Sequence, residues 1–325
     1  MLTRRAFALG GAALGAAGAA PVHAADGWPS RVVRLIVPFP PGGANDAIGR
    51  IVADKLGKRL HQTVIIENRP GAGGTIGAAV AANAAPDGYT IVVGYVGNLA
   101  YAKTIYPDLS YDPLTSFEPI THLATTPQTL VVNPSLPVHS VKELIAYVKE
   151  RPGKLSYSSG GNGTAAHITT AYFCHKAGLS MVHVPYRGTA PSVTDLMANQ
   201  VQVTFAAWPG VQAFVKSGQI RALAVSSAAR VAYAPDLPTV SEAGLPGFEA
   251  TIWYGILAPA HTPAPIVKRI DTELAEILKD PDMLRFFALD GGFPQYMNSA
   301  TFRAFIATEI KRWRAIITEA GIARA

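Results

Sequence analysis

Two glycine-rich runs carry the residue types best suited to chemistry. The first is Val37-Pro-Phe-Pro-Pro-Gly-Gly-Ala-Asn-Asp46, in which an apolar β-branched stretch reaches two prolines, two glycines and then polar residues able to open a helix. Pro40 and Pro41 block continuation of a strand, Gly42 and Gly43 permit sharp backbone angles, and the residues that follow predict a helix from Asn45 or Asp46. A helix start left bare at the carboxyl end of a strand offers unpaired N–H groups and the positive end of the macrodipole, which together make an anion site. The same residues also suit a plain tight connection in which Asn45 or Asp46 caps the helix. Asp46 would repel a carboxylate, so its roles are to neutralise the helix dipole or to meet an amino or hydroxyl group of a ligand.

The second run repeats this logic. A strand over Leu155–Ser158 leads into Ser159-Gly-Gly-Asn-Gly163, and a helix then begins at Thr164 with His167 one turn in. Hydroxyls, an amide and open backbone N–H groups come together there. His167 is placed either to reach a bound carboxylate or to make a local hydrogen bond. A phosphate loop needs Lys followed by Ser or Thr after the last glycine, and Thr164-Ala165 stands there instead, which excludes the nucleotide reading. A third run, Arg69-Pro-Gly-Ala-Gly-Gly-Thr-Ile-Gly77, breaks the dinucleotide fingerprint at Ile76 and reads as a turn with close helix packing, or as a further loop at the cleft.

Other constellations are missing. The sequence has no G-x-S-x-G elbow and no H-E-x-x-H helix, so serine-hydrolase and zinc-protease chemistry lack a signature. No catalytic residue, metal or cofactor is expected.

The elements that must hold these loops alternate. Arg34–Phe39, Thr63–Glu67, Thr90–Gly94 and Thr129–Asn133 are short apolar runs of the kind buried on both faces, the pattern of parallel sheets. Helices are predicted over 46–60, 77–85 and 141–148. The alternation recurs through 155–225, giving a second α/β unit, and a strand over Ala250–Leu257 then leads to amphipathic helices over 265–279 and 299–321. Those last helices have no new sheet to cover and are expected back on the first unit. The chain thus crosses between units near 124–128 and again near 247–251, and two crossings make a hinge suited to closure over a ligand. The expected class is α/β with two lobes, each a sheet flanked by helices: lobe 1 from 25–126 and 250–325, lobe 2 from 127–249.

Residues 1–24 read as a secretory signal peptide, with Arg4 and Arg5 ahead of an Ala/Gly/Leu run and cleavage after Ala24 or Ala25. The arginine pair suits a twin-arginine signal as well as an ordinary secretory one. Loss of those two arginines lowers the formal net charge of +6 by two, and the remaining basic residues are scattered, which disfavours nucleic acid as a partner. The single cysteine, Cys174, has no partner for an internal disulfide and reads as a buried thiol.

At this point the sequence resembles a known family, the Bug-type extracytoplasmic solute receptors of tripartite tricarboxylate transporters. The resemblance runs from Trp28 to Ile322. Its motifs are Val37-Pro-Phe-Pro-Pro-Gly-Gly43 with Asp46 and Arg50, Glu67-Asn-Arg-Pro-Gly-Ala-Gly-Gly74, Ala85-Pro-Asp-Gly-Tyr89, Tyr157-Ser-Ser-Gly-Gly-Asn-Gly163 with His167, His183-Val-Pro-Tyr-Arg-Gly188, and 234–247. It implies a two-lobed periplasmic-binding-protein fold that captures a small carboxylate and hands it transiently to membrane transporter subunits, working as a monomer. It also implies a ligand carboxylate between the two loops, at Phe39, Gly43, Asn45, Asp46, Ser158, Ser159, Asn162, Gly163, Thr164 and His167, with ordered waters assisting. Arg187 stands where the family often has lysine; an arginine suits a bidentate grip on a carboxylate or a solvent-facing position. Tyr95 and Asn98, beyond the strand at Thr90, are placed to touch ligand, Tyr95 alternatively packing between sheet and helix. After the strand at Val201–Phe205 the family often has an Asp-Asn pair, whereas this chain has Ala206, Ala207 and then Trp208, which implies a less polar distal pocket. Competing functions on the same pocket are a sensory receptor for a membrane signalling partner and an enzyme using His167 as general base.

Overall fold

The computed structural model describes residues 27–289 and 291–322; the expected signal peptide lies outside them. The chain opens with β1 (Val33–Val37), α1 (Ala44–Leu60), β2 (Val64–Asn68), α2 (Thr75–Ala82) and β3 (Thr90–Tyr95). These three strands are parallel and adjacent in the order β2-β1-β3. A π-helical turn at Gly97–Tyr101 and the short α3 (Ala102–Ile105) lead to β4 (Phe117–Pro127).

One residue, Gln128, separates β4 from β5 (Thr129–Val132), which belongs to a different sheet. That sheet is completed by α4 (Val141–Lys149), β6 (Ser156–Ser159), α5 (Ala165–Ala177), β7 (Val182–Pro185), α6 (Thr189–Met197), β8 (Val203–Ala206), α7 (Gln212–Lys216) and β9 (Arg221–Val225). Its strand order is β7-β6-β8-β5-β9. The chain then returns to the first sheet with β10 (Thr251–Pro259), α8 (Ala264–Ile277), α9 (Pro281–Leu289), β11 (Phe293–Met297) and α10 (Ser299–Glu319), giving the order β11-β4-β10-β3-β1-β2.

The α/β class holds, but both sheets are mixed rather than parallel. β10 runs antiparallel to β3 and β4, and β5 runs antiparallel to β8 and β9. Burial on both faces makes a strand uniformly apolar whichever way it runs, so the composition of β5 and β10 carried no sign of their direction. β4, β11 and α9 were not anticipated. β4 hid behind its polar residues, yet Thr121, His122 and Thr126 are fully buried in it. Thr121 donates to Asp271 at 2.6 Å and His122 Nδ1 meets the Gln295 carbonyl at 2.6 Å.

The final helix covers the first sheet. Phe302, Ile306, Trp313 and Ile317 of α10 are buried along one face against β4 and the Gly97–Tyr101 turn. Burying a large apolar side chain contributes about 1.5–3 kcal/mol, so this face secures the return of the chain. Glu309 on the same helix accepts from both Trp253 Nε1 and Trp313 Nε1 at 3.0 Å, which satisfies a carboxylate in an aromatic setting. Where the chain changes sheets, the Ser226 hydroxyl accepts from the Gln128 N–H at 2.8 Å and donates to the Ala250 carbonyl, tying both crossings together. Cys174 is buried, and burial pushes its thiol up to about 12.

Candidate ligand-binding site

The loop between β1 and α1 is built around Asp46. Gly42, at φ +87°, turns its N–H onto Asp46 Oδ2 at 3.0 Å, and Arg50 one turn along grips both oxygens at 2.8 and 3.1 Å. Asn68, brought alongside by the β1–β2 pairing, donates to Asp46 Oδ1 and to the Phe39 carbonyl, both at 2.9 Å. Burial raises the Asp46 pKa, but Arg50, Gly42 and Asn68 outweigh it and hold the carboxyl below its usual range. Its charge is therefore spent on fixing the loop.

The helix that follows starts one or two residues earlier than expected. Gly43 is the N-cap in extended conformation and supplies no capping side chain, so the first-turn N–H groups of α1 keep no side-chain acceptor. Asn45, in that turn, has a buried Oδ1 without a hydrogen-bond partner.

The loop between β6 and α5 is stapled internally in the same way. The Thr164 hydroxyl, which could have capped α5, donates instead to the Gly161 carbonyl at 2.7 Å, and the helix start again lacks a side-chain cap. Gly163 N–H donates to His167 Nδ1 at 3.2 Å, which makes Nδ1 the acceptor and leaves the proton of the neutral ring on Nε2. His167 stacks on His183 with centroids 4.0 Å apart, and His183 stacks on Tyr157 at 4.9 Å. His183 Nε2 lies 2.7 Å from the Ser159 hydroxyl. Burial and then His183 push His167 down to about 3, and burial pushes His183 down to about 4, so both rings are neutral at ordinary pH. Ser158 is fully buried, its hydroxyl accepting from Ser192 at 2.8 Å.

The third glycine run joins the two loops. Gly77 packs on the first loop: a Cβ there would lie 2.8 Å from Pro38. A Cβ on Gly74 would meet the Phe39 ring at 3.1 Å and the Tyr95 ring at 3.3 Å, and those two rings form an edge-on pair at 5.0 Å. A Cβ on Gly73 would lie 2.9 Å from the Asn162 carbonyl. Tyr106 completes the junction, its hydroxyl donating to that same carbonyl at 2.8 Å. Gly73, Gly74, Asn68 and Tyr106 were not singled out from the sequence as site residues. The run of glycines was a signal for the first two; Tyr106 had none.

The remaining candidates are more dispersed. Arg187 is exposed and has no hydrogen bond or ion pair among the described residues. Ala207 is half-buried beyond β8, while the Trp208 ring is buried and stacked on Tyr233 at 4.8 Å within a small apolar cluster. Asn98 is buried in the π-helical turn. Among the described residues, no group of three or more His, Cys, Asp or Glu could hold a metal ion, and no helix is long and apolar enough to cross a membrane. An open groove of about 580 Å³ between α2 and the Tyr106–Ser110 segment lies beside the junction, sharing Tyr106 and the Thr75 and Ile76 end of the third glycine run with it.

The arrangement offers two uncapped helix starts, held by Gly73 and Gly74 at one junction between the sheets and provided with neutral hydrogen-bonding groups. Such an arrangement can hold an anion.

Residues 48–322 match a family described as tripartite tricarboxylate transporter family receptor. The chain is 35% identical over 318 residues to protein BugT of Bordetella pertussis, covering 98% of each chain. Among solved structures it is similar to R. palustris Rpa4515 with adipate, at 36% identity and TM-score 0.88, covering 92% of this chain and 100% of that one. It is also similar to the periplasmic binding protein BugD, at 35% identity and TM-score 0.85 with coverage of 92% and 100%.

Proposed function

Because the chain belongs to the tripartite tricarboxylate transporter receptor family, we propose that it captures a small organic acid in the periplasm and delivers it unchanged to the membrane subunits of a tripartite tricarboxylate-type transporter. The observation that carries this reading is the pair of helix starts, α1 and α5, both without a capping side chain and joined through Gly73 against Asn162. A carboxylate placed there satisfies N–H groups that the protein leaves open. The adipate bound by Rpa4515 supports an organic acid as the ligand class.

In this reading the lobes are 25–126 with 250–325 and 127–249, closing about the crossings at Gln128 and Ala250. Phe39, Gly43, Asn45, Ser159, Asn162, Gly163, Thr164 and His167 surround the carboxylate, with Asp46 and Ser158 holding their loops in place. Asn98, Arg187, Ala207 and Trp208 line the rest of the cleft. The protein acts as a monomer and leaves the cytoplasm by a cleaved signal, twin-arginine or general secretory. The test is a thermal melt of the mature chain with a panel of carboxylates. Binding to the native state alone stabilises it by about 2.7 kcal/mol at a hundredfold excess over Kd, so one acid raises Tm by several degrees. A panel that leaves both Tm and calorimetric titration flat contradicts the reading.

A further inference from the structure

Asn98 lies in the π-helical turn Gly97–Tyr101, just past the carboxyl end of β3, with 1% of its surface exposed. Such turns interrupt regular helix geometry and often re-aim a side chain at a functional site. The residue is pinned from two sides. Its carbonyl accepts from the Tyr111 hydroxyl, and its Oδ1 accepts from the Tyr95 N–H at 2.9 Å. The second bond settles which end of the amide is oxygen, because a backbone N–H requires an acceptor. The opposite end is therefore an NH₂ donor, and this Nδ2 is buried with no hydrogen-bond partner.

Gly74 packs on the stem of this side chain. A Cβ on Gly74 would fall 3.5 Å from Asn98 Cβ, so Asn98 lies beside the glycine that connects the two candidate loops. The adjacent Tyr95 hydroxyl donates to the Gly73 carbonyl at 2.9 Å and is thereby committed. A buried donor left unsatisfied costs about 1–3 kcal/mol, so the site is built for an acceptor oxygen that the chain does not supply.

We propose that Asn98 is a specificity-determining residue that binds a second acceptor oxygen on the ligand, selecting diacids over monoacids and ω-amino acids of the same length. The inference rests on the carboxylate capture proposed above. A second carboxylate satisfies the amide with a charge-assisted bond, a terminal methyl leaves the donor buried and unpaired, and a terminal ammonium sets donor against donor.

The experiment is calorimetric titration of the mature protein with matched sets: butyrate, succinate and 4-aminobutyrate, then hexanoate, adipate and 6-aminohexanoate. Wild type is expected to favour the diacid of at least one set about tenfold or more over its partners. Asn98→Asp keeps an acceptor for the Tyr95 N–H but puts a charged oxygen where the donor was, which repels a second carboxylate. It is expected to lose that preference at some cost in unliganded Tm, because the new carboxylate is buried, and Asn98→Leu is expected to bring diacid and monoacid to within about threefold. If Asn98→Leu does not fold, Asn98→Asp decides. A diacid preference that survives Asn98→Asp, or wild-type binding of monoacid and diacid with equal affinity, overturns the proposal while leaving carboxylate capture intact. Absence of binding by every acid tested removes the capture reading and this inference with it.

Discussion

The Tyr106 hydroxyl donates to the Asn162 carbonyl at 2.8 Å, joining the segment after α3 to the loop between β6 and α5. The bond spans the two sheets and touches the candidate site without belonging to either helix start. Tyr106→Phe removes it with little loss of apolar contact. A neutral hydrogen bond contributes about 0.5–1.5 kcal/mol net, so ligand dissociation should speed up by roughly two- to tenfold, with Tm of the unliganded protein nearly unchanged. Stopped-flow release rates check this; an unchanged off-rate contradicts a role in holding the lobes together.

Gly73 lies beside the same hydrogen bond. It adopts φ +61°, and a Cβ would stand 2.9 Å from Asn162 O and 3.1 Å from the Tyr106 hydroxyl. Gly73→Ala therefore adds a left-handed backbone penalty of about 1–2 kcal/mol and pushes the two sheets apart where they meet. Affinity should fall at least about tenfold, which titration measures, while the far-ultraviolet circular dichroism spectrum stays that of the wild type.

Asp46 is predicted to matter for the loop rather than for the ligand's charge. Asp46→Ala strands the Gly42 N–H, frees the Arg50 guanidinium and removes one of the two bonds of the Asn68 amide. With about 1–3 kcal/mol for a buried group left unsatisfied, and Arg50 free to turn to solvent, the loss of stability should be about 2–4 kcal/mol by urea denaturation. Stability unchanged within about 0.5 kcal/mol would contradict the assignment.

Acid should destabilise the protein through its buried histidines. Burial holds His122 at about 4, His167 at about 3 with His183 adding to the effect, and His183 at about 4. In the unfolded chain each titrates near 6.5, so from about pH 6.5 down to about 4 the unfolded state binds more protons and stability falls as pH falls. Each histidine that stays neutral contributes a slope of about 1.4 kcal/mol per pH unit in that window. Urea midpoints at pH 7, 5.5 and 4.5 should decline in step, and His122→Gln should flatten the decline.

Sequence punctuation made much of this architecture legible. Pro40, Pro41, Gly42 and Gly43 marked a strand end and a helix start, and Gly160–Gly163 marked another, because such residues impose local geometry wherever they occur. Long-range pairing was less visible. Arg50 stands four residues from Asp46 and could be inferred as its partner, but Asn68 reaches Asp46 only because β2 pairs with β1. β4 was hidden because its buried Thr121 and His122 find their partners in Asp271 and Gln295, far along the chain. Trp208 shows the same limit: its place on Tyr233 depends on a loop whose path no local pattern fixes.

The central claim is that one carboxylate bridges the uncapped starts of α1 and α5. Its most direct test is a diffraction structure of the mature protein with the acid that raises Tm most. The predicted result places carboxylate oxygens within hydrogen-bond reach of first-turn N–H groups from both helices, directly or through one water. Ligand density away from both helix starts, or held by one of them alone, would contradict it.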